Sequence, residues 1–341
     1  MPRELICTEA ATPPRLAVRS AQLRTPNDGQ VLVQVQATSV NPIDVKRSGG
    51  YGSRLLGLKG AARFPLVLGN DVTGIVKDLG AGVTRFARGQ RVFGLLGTGR
   101  AGGAHASHVV VPQDLLLPAP DDADPTTLAV LPYSFTTMWL ALRSTGITAD
   151  NGRGARVLIN GANGGLGRLA LQLLRHWGSE ITAICGKGQR QIGLDLGARV
   201  AAEHGPGCIE SLPSDFHGVL NFANWDDEAL LASRLGARAI GHATTVHPLL
   251  SNFDRMGWLG GALASRRDRS RVRAVVASRA PKASYAWTIF KPDREALDAL
   301  AEGVRARRLA LPIGIAKSFD HAVAAFEHVS GGRPGRAVLL P

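Results

Sequence analysis

Short runs of period two dominate the first part of the chain. Val31-Leu32-Val33-Gln34-Val35-Gln36 sets apolar against polar positions as a half-buried strand does. Val72-Thr73-Gly74-Ile75-Val76, Arg91-Val92-Phe93-Gly94 and His108-Val109-Val110-Val111 predict further strands separated by glycine turns, with no long helical pattern between them. The proline- and aspartate-rich segment from Pro118 to Pro125 breaks the composition, and beyond it the period changes. Arg156-Val157-Leu158-Ile159-Asn160 predicts a buried strand. Leu166, Leu169, Ala170, Leu173, Leu174 and Trp177 then fall on one helical face that Gly178 ends. Ile181–Cys185, Arg199–Ala202, Gly218–Ala223, Ala237–Gly241 and Tyr285–Phe290 are strand candidates, with helical stretches such as Asp226–Leu235 between several of them. Strands alternating with helices predict a doubly wound parallel sheet. After Pro292 a helix over Arg294–Ala306 leads to mixed β structure from Gly314 to Leu340, which rejoins the first part. The expected fold is α/β in two domains: a β-rich one over 1–124 and 292–341, and a parallel-sheet one over 125–291.

Composition narrows the classes. The 341 residues suit two domains, and 45% hydrophobic with 20% charged residues is ordinary for a globular protein. No apolar stretch is long enough to span a membrane. Cys7, Cys185 and Cys208 are too few and too scattered for a disulfide framework or a Cys-x-x-Cys metal site. The residues after Met1 show no signal core, and Glu4 and Glu9 argue against a transit peptide, so the expected location is cytoplasmic. A net charge of +13 favours anionic partners in general. The densest basic run, Arg266–Arg273, lacks interleaved aromatics and reads as an exposed loop rather than a nucleic-acid patch.

The candidate chemistry centres on Gly161-Ala162-Asn163-Gly164-Gly165-Leu166-Gly167, placed between a strand and a helix. Glycines there let backbone amides approach a pyrophosphate, and the helix start adds free N–H donors and partial positive charge. The alternative is a plain tight turn. An NAD site usually ends its second strand on an acid that accepts from the ribose 2′-hydroxyl. This chain has Cys185-Gly186-Lys187-Gly188-Gln189-Arg190 instead, which suits a 2′-phosphate and selects NADPH. Otherwise Lys187 and Arg190 are solvated residues at a helix start.

Further motifs carry a family resemblance. They are Asn41-Pro42-Ile43-Asp44-Val45 with Gly50-Tyr51-Gly52, the run from Phe64 to Gly74, Gly102-Gly103-Ala104-His105-Ala106, Leu131-Pro132-Tyr133 with Thr137 and Trp139, and Leu250, Asn252 and Asp254-Arg255. In this order they resemble the zinc-independent quinone oxidoreductases of the medium-chain dehydrogenase/reductase superfamily. The likeness is greatest to its reticulon-interacting mitochondrial NADPH oxidoreductases. The resemblance implies a GroES-like catalytic domain and a Rossmann nucleotide-binding domain. Zinc-dependent members supply a cysteine and a Gly-His-Glu segment as ligands. Here the matching run is Gly69-Asn70-Asp71, and no cysteine lies between Cys7 and Cys185. On a strand, the spacing of His105 and His108 would put them on opposite faces.

That likeness implies hydride transfer to an already polarised acceptor, a quinone or an α,β-unsaturated carbonyl, with no metal. Tyr51 is the candidate hydrogen-bond or proton donor to the developing negative charge, with loop packing as its alternative role. Asn41 and Asp44 are expected to orient that loop or contact the nicotinamide side, or else to form a plain turn. Thr137 matches a threonine facing the nicotinamide. His204 stands where relatives have a tyrosine near the adenosine phosphate. Arg333 and Arg336 stand near a C-terminal lysine motif and could clamp a phosphate. Homodimerisation through Tyr285–Phe290 is the expected assembly. A biosynthetic enoyl reductase, or a non-catalytic NADPH- or RNA-binding protein, is the competing reading. Departures at Asn221–Asn224 and His242–His247 leave the acceptor open.

Overall fold

The computed structural model describes residues 1–99 and 102–341. The strands are β1 (Arg3–Cys7), β2 (Leu16–Ser20), β3 (Gln30–Val40), β4 (Leu66–Val67), β5 (Asp71–Leu79), β6 (Arg91–Leu95), β7 (His108–Pro112), β8 (Leu116–Pro118), β9 (Arg156–Asn160), β10 (Glu180–Cys185), β11 (Val200–Glu203), β12 (Gly218–Asn221), β13 (Gly241–Thr244), β14 (Ser284–Trp287), β15 (Ile313–Ser318) and β16 (Arg336–Leu340). The helices are α1 (Pro42–Ser48), α2 (Ser53–Gly57), α3 (Pro125–Leu128), α4 (Pro132–Thr145), α5 (Ala149–Gly152), α6 (Gly165–His176), α7 (Arg190–Asp195), α8 (Glu228–Ala232), α9 (Leu249–Arg279), α10 (Arg294–Arg305) and α11 (Ala322–Ser330). The chain divides into two compact units. One is Met1–Tyr133 with Phe253–Arg255 and Lys291–Pro341; the other is Ser134–Asn252 with Met256–Phe290.

The first unit is built on a sheet in the order β15-β16-β3-β5-β6-β8, with β7 also paired to β3, and a small sheet β2-β1-β4. The long strand β3 pairs antiparallel with β5, β7 and β16, so it fixes where its neighbours' ends fall. Its inward residues Val31, Val33 and Val35 join Val72, Val76, Val92, Val109 and Val111 in one core. A second core gathers Leu5, Val40, Leu68, Phe319, Phe326 and Leu339. Alternating β-branched residues on a pleated surface give this packing directly.

The second unit is a parallel sheet in the order β11-β10-β9-β12-β13-β14. In chain order of its six strands this is 3-2-1-4-5-6, the doubly wound arrangement with a switch point between β9 and β12. Every residue of β12 and β13 is buried, as expected for strands covered on both faces. On α6 the buried residues are Gly167, Leu169, Ala170, Leu171 and Leu174; of the stripe expected from its period, Leu169, Ala170 and Leu174 are buried, and Leu166, Leu173 and Trp177 are half-buried.

Three local expectations are corrected. The strand expected over Ala237–Gly241 lies instead at Gly241–Thr244, because Ala237 and Arg238 are exposed and His242 is the buried residue. Histidine in a central strand hides an apolar pattern unless its partner is known. The basic run Arg266–Arg273 is not a loop but part of α9. Arginine is a good helix former, and Gly261, Ala264, Ser265, Val272 and Val276 supply a buried stripe at helical spacing. His105 precedes β7 rather than sharing a strand with His108, so strand alternation does not relate the two.

Candidate active site

The phosphate loop is built by close approach. Gly161 has φ +81°, a left-handed conformation that a side chain disfavours. A Cβ on Gly167 would lie 2.3 Å from the Gly161 carbonyl oxygen and 2.6 Å from the Ala162 Cα, so only glycine lets α6 begin this near the loop. Ala162 is buried and donates its N–H to the Ile184 carbonyl at 3.1 Å. The Gly164 N–H reaches back to the Gly161 carbonyl at 3.1 Å. The loop therefore delivers the first turn of α6, with its N–H groups lacking intrahelical acceptors, at the carboxyl end of β9. The cradle that excludes a Cβ fits a pyrophosphate.

Asn163 has a role that motif matching does not show. Its Oδ1 accepts from the Gly186 N–H at 3.2 Å and its Nδ2 donates to the Gln189 carbonyl at 3.2 Å. The side chain thus latches the phosphate loop to the turn after β10. Gly186, Lys187 and Arg190 are exposed on that turn. Arg190 keeps one donor occupied, Nε to the Ala201 carbonyl at 2.8 Å, and borders an open cavity of about 450 Å³ also lined by Glu203, Pro206 and Cys208. His204 is exposed, and its Nε2 lies 2.9 Å from the Asp227 carboxylate. Thr137 lies buried on α4.

Across β12, β13 and β14 the second unit holds a buried polar network that sequence reasoning missed. Glu228 is fully buried. Its carboxylate meets His242 Nε2 at 2.8 Å and accepts from Asn221 Nδ2 at 2.6 Å and from the Tyr285 hydroxyl at 3.1 Å. Trp287 donates to the Tyr285 oxygen at 2.8 Å. Burial alone would raise the Glu228 pKa; His242 and the hydrogen bonds outweigh it and hold the group below its ordinary value. Asn221, which departs from the family pattern, ties the network to β9 through Asn160 Nδ2 at 3.1 Å. The one available signal was a histidine within an otherwise apolar run.

In the first unit Asn41, Asp44 and Arg336 come together with three residues that the motifs did not mark as site residues. Asn41 caps α1, where Asp44 Oδ2 accepts its N–H at 2.8 Å. The other Asp44 oxygen accepts the Gly69 N–H at 2.9 Å. Asp71 is fully buried. It accepts from the Ser39 hydroxyl, from Asn41 Nδ2 at 2.9 Å and from the Tyr133 N–H at 2.6 Å. Buried His105 contacts the Ser39 carbonyl at 2.9 Å. Arg336 donates to Asn41 Oδ1, and its Nε is buried without a partner. Burial lowers the Arg336 pKa, with Asp71 and Asp44 opposing the shift. Arg336 is therefore part of an internal cluster, whereas Arg333 is exposed. Asn70 donates to the Leu96 carbonyl at 2.9 Å. Among the described residues no group of three or more His, Cys, Asp or Glu side chains gathers as a metal cage would require.

Burial pushes the Asp71 pKa up to about 6 despite four stabilising neighbours. A raised carboxylate pKa means stability that is present below the unfolded value and lost as pH rises through the folded one. A shift of about two units corresponds to about 3 kcal/mol. Urea unfolding of wild type and Asp71→Asn across pH 4 to 7.5 is expected to show wild type losing up to about that much relative to the variant. A difference independent of pH would contradict the assignment.

Tyr51 follows α1 on a loop held at both sides. Its N–H bonds the Lys46 carbonyl at 3.1 Å, and the Lys46 ammonium lies 5.5 Å from the ring centre. Asp254 receives the Gly52 N–H at 2.5 Å, the Arg54 N–H at 3.1 Å and the Ser53 hydroxyl at 3.2 Å. This gives the Asp254-Arg255 motif a physical role: the carboxylate caps α2 and fixes the turn beside Tyr51. Burial, and then Asp254, raise the Tyr51 pKa, so the phenol stays protonated and able to donate.

Comparison with known proteins agrees with this organisation. Residues 27–121 match the alcohol dehydrogenase GroES-like domain. The mitochondrial NAD(P)H oxidoreductase RTN4IP1 of Danio rerio is 30% identical over 327 residues, covering 91% of this chain and 83% of the relative. Its Homo sapiens counterpart is 32% identical over 334 residues, covering 91% and 81%. The solved quinone oxidoreductase of Coxiella burnetii superposes with a TM-score of 0.81 at 21% identity, covering 100% of this chain and 99% of that one. The cytoplasmic expectation is overturned here, since both sequence relatives carry a mitochondrial designation. Of the residues on which it rested, Arg3, Glu4 and Leu5 lie in β1, a strand of the folded unit, and Glu9 follows it. From these relatives, and from a GroES-like unit joined to a 3-2-1-4-5-6 parallel sheet, the chain belongs to the quinone-oxidoreductase-like medium-chain dehydrogenases/reductases.

Proposed function

We propose that this oxidoreductase uses NADPH to reduce a quinone or an α,β-unsaturated carbonyl without zinc. The observation that carries the reading is the Asn163 latch, which joins a glycine-tight phosphate loop to an acid-free turn bearing Lys187 and Arg190. The loop amides and the first turn of α6 would hold the pyrophosphate. Lys187 and Arg190 would meet the 2′-phosphate, where an acid would repel it. His204 is assigned to the adenosine side, Thr137 to the nicotinamide side, and Arg333 and Arg336 to phosphate contact, on the resemblance alone. The bound nicotinamide supplies the hydride.

The chain's own residues do the rest. Asn41 and Asp44 fix the start of α1, the helix that leads to Tyr51. Tyr51 donates a hydrogen bond or proton to the oxygen on which charge develops. Where zinc-dependent members place soft or imidazole ligands, this chain has the hydrogen-bonded Asn70 and the buried Asp71, a poor donor set for zinc. Two copies pairing through the edge strand β14 complete the proposal.

Charge reversal tests it. Lys187→Glu with Arg190→Glu is expected to lower kcat/KM for NADPH at least about 100-fold while leaving NADH within about threefold, since each lost charge-assisted bond is worth about 1.5–3 kcal/mol. Equal losses for both cofactors would point to a damaged fold rather than to a lost 2′-phosphate contact.

A further inference from the structure

Helix α9 presents a surface that none of this chemistry uses. Beyond the break at Gly257 (φ +71°) the helix turns about 100° per residue, and its two sides differ. Gly261, Ala264, Ser265, Val272 and Val276 are buried. The opposite side carries a ridge of Leu259, Leu263, Arg266, Arg267 and Ser270, all exposed, and Arg271 and Arg273 are exposed on its flanks. Leu259 is 83% and Leu263 70% exposed, and the neighbouring Trp258 is 46% exposed. The one acid in the arginine run, Asp268, accepts from Asn252 at 3.0 Å and makes a long ion pair, 3.9 Å, with Arg267 alone among the described residues.

Exposed leucines at one end of a ridge and arginines at the other are costly in water and complementary to an anionic bilayer. Apolar side chains enter the acyl boundary while guanidinium groups stay at the phosphates. A net charge of +13 adds long-range attraction to such a surface. A second copy of the same ridge fits less well. It would set arginines near arginines, and two leucines with a tryptophan fall well short of the ~800 Å² per partner of a stable pair. Single-stranded nucleic acid would call for aromatics interleaved with the arginines, and the run has none. No helix among the described residues is long and apolar enough to cross a membrane, so contact would be in the interfacial plane. We infer that the outer ridge of α9 is a docking surface for an anionic lipid bilayer.

The test is cosedimentation of the full chain with vesicles of phosphatidylcholine alone or mixed with phosphatidylserine. Wild type should bind the mixed vesicles and lose binding as salt rises. Arg266→Glu with Arg267→Glu should weaken partitioning at least about 25-fold, roughly fivefold for each arginine removed. Leu259→Ser with Leu263→Ser should weaken it by roughly tenfold per leucine. Both variants should keep wild-type NADPH affinity and solution mass. Four results would overturn the inference: no binding to mixed vesicles, equal binding by the variants, a fall in oligomeric mass on changing the leucines, or salt-sensitive RNA binding that the arginine variant loses while vesicles are ignored.

Discussion

Replacing Gly167 with alanine is expected to raise the dissociation constant for NADPH at least about 100-fold, or about 2.7 kcal/mol. The new Cβ would meet the Gly161 oxygen at 2.3 Å and the Ala162 backbone at 2.6–2.7 Å. Neither neighbour is a flexible side-chain end. Gly161 is held in a left-handed turn, and Ala162 is bonded to β10 and fully buried. The start of α6 must therefore move out, carrying away the N–H groups proposed to hold the pyrophosphate. Overpacking of this kind costs roughly 1–3 kcal/mol in stability as well. Fluorescence titration with NADPH, together with a thermal melt, separates the two effects. A variant that melts within a degree or two of wild type and binds equally well would show that the loop is only a turn.

Tyr51→Phe carries the second large effect. A positioned acid contributes about 10²–10⁴ in rate, so kcat/KM with a quinone acceptor is expected to fall at least about 100-fold. The NADPH dissociation constant should stay unchanged, because the hydroxyl is assigned to the acceptor and not to the cofactor. Both causes of the Tyr51 shift, burial and Asp254, raise its pKa, which keeps the phenol a donor through neutral pH. Loss of activity without loss of NADPH affinity separates proton donation from loop collapse. If Tyr51→Phe turns over like wild type, the ring serves packing, and its stacking with Lys46 is its whole role.

The parts of this molecule that were legible in its sequence are those whose chemistry is local. The phosphate loop reads directly because glycine, strand and helix must follow one another within a few residues, and the structure places them so. Lys187 stands out because an acid is missing at a fixed distance from that loop. Asn41 and Asp44 are three residues apart in sequence and cap one helix. The rest depends on register. Ser39 and Asp71 meet because β3 and β5 run antiparallel from the pair Ala37↔Thr73, thirty-odd residues apart in the chain. Arg336 joins them only because β16 lies beside β3. Glu228, His242 and Tyr285 converge from a helix and two parallel strands, and no short window contains all three. The arginine run was misread for the opposite reason. Its charge was plain, but the small buried residues that make it a helix carry little hydrophobic signal.

The central claim, a reductase selective for NADPH, is tested most directly by one ratio. Steady-state oxidation of NADPH and of NADH by the wild-type protein should be followed with the same quinone. The expected ratio of kcat/KM favours NADPH by at least about tenfold, the equivalent of one charge-assisted contact to the 2′-phosphate. A ratio near one, or in favour of NADH, would contradict the reading of the Gly186-Lys187 turn. Failure to oxidise either cofactor with any quinone or enone tried would contradict the proposed reaction itself.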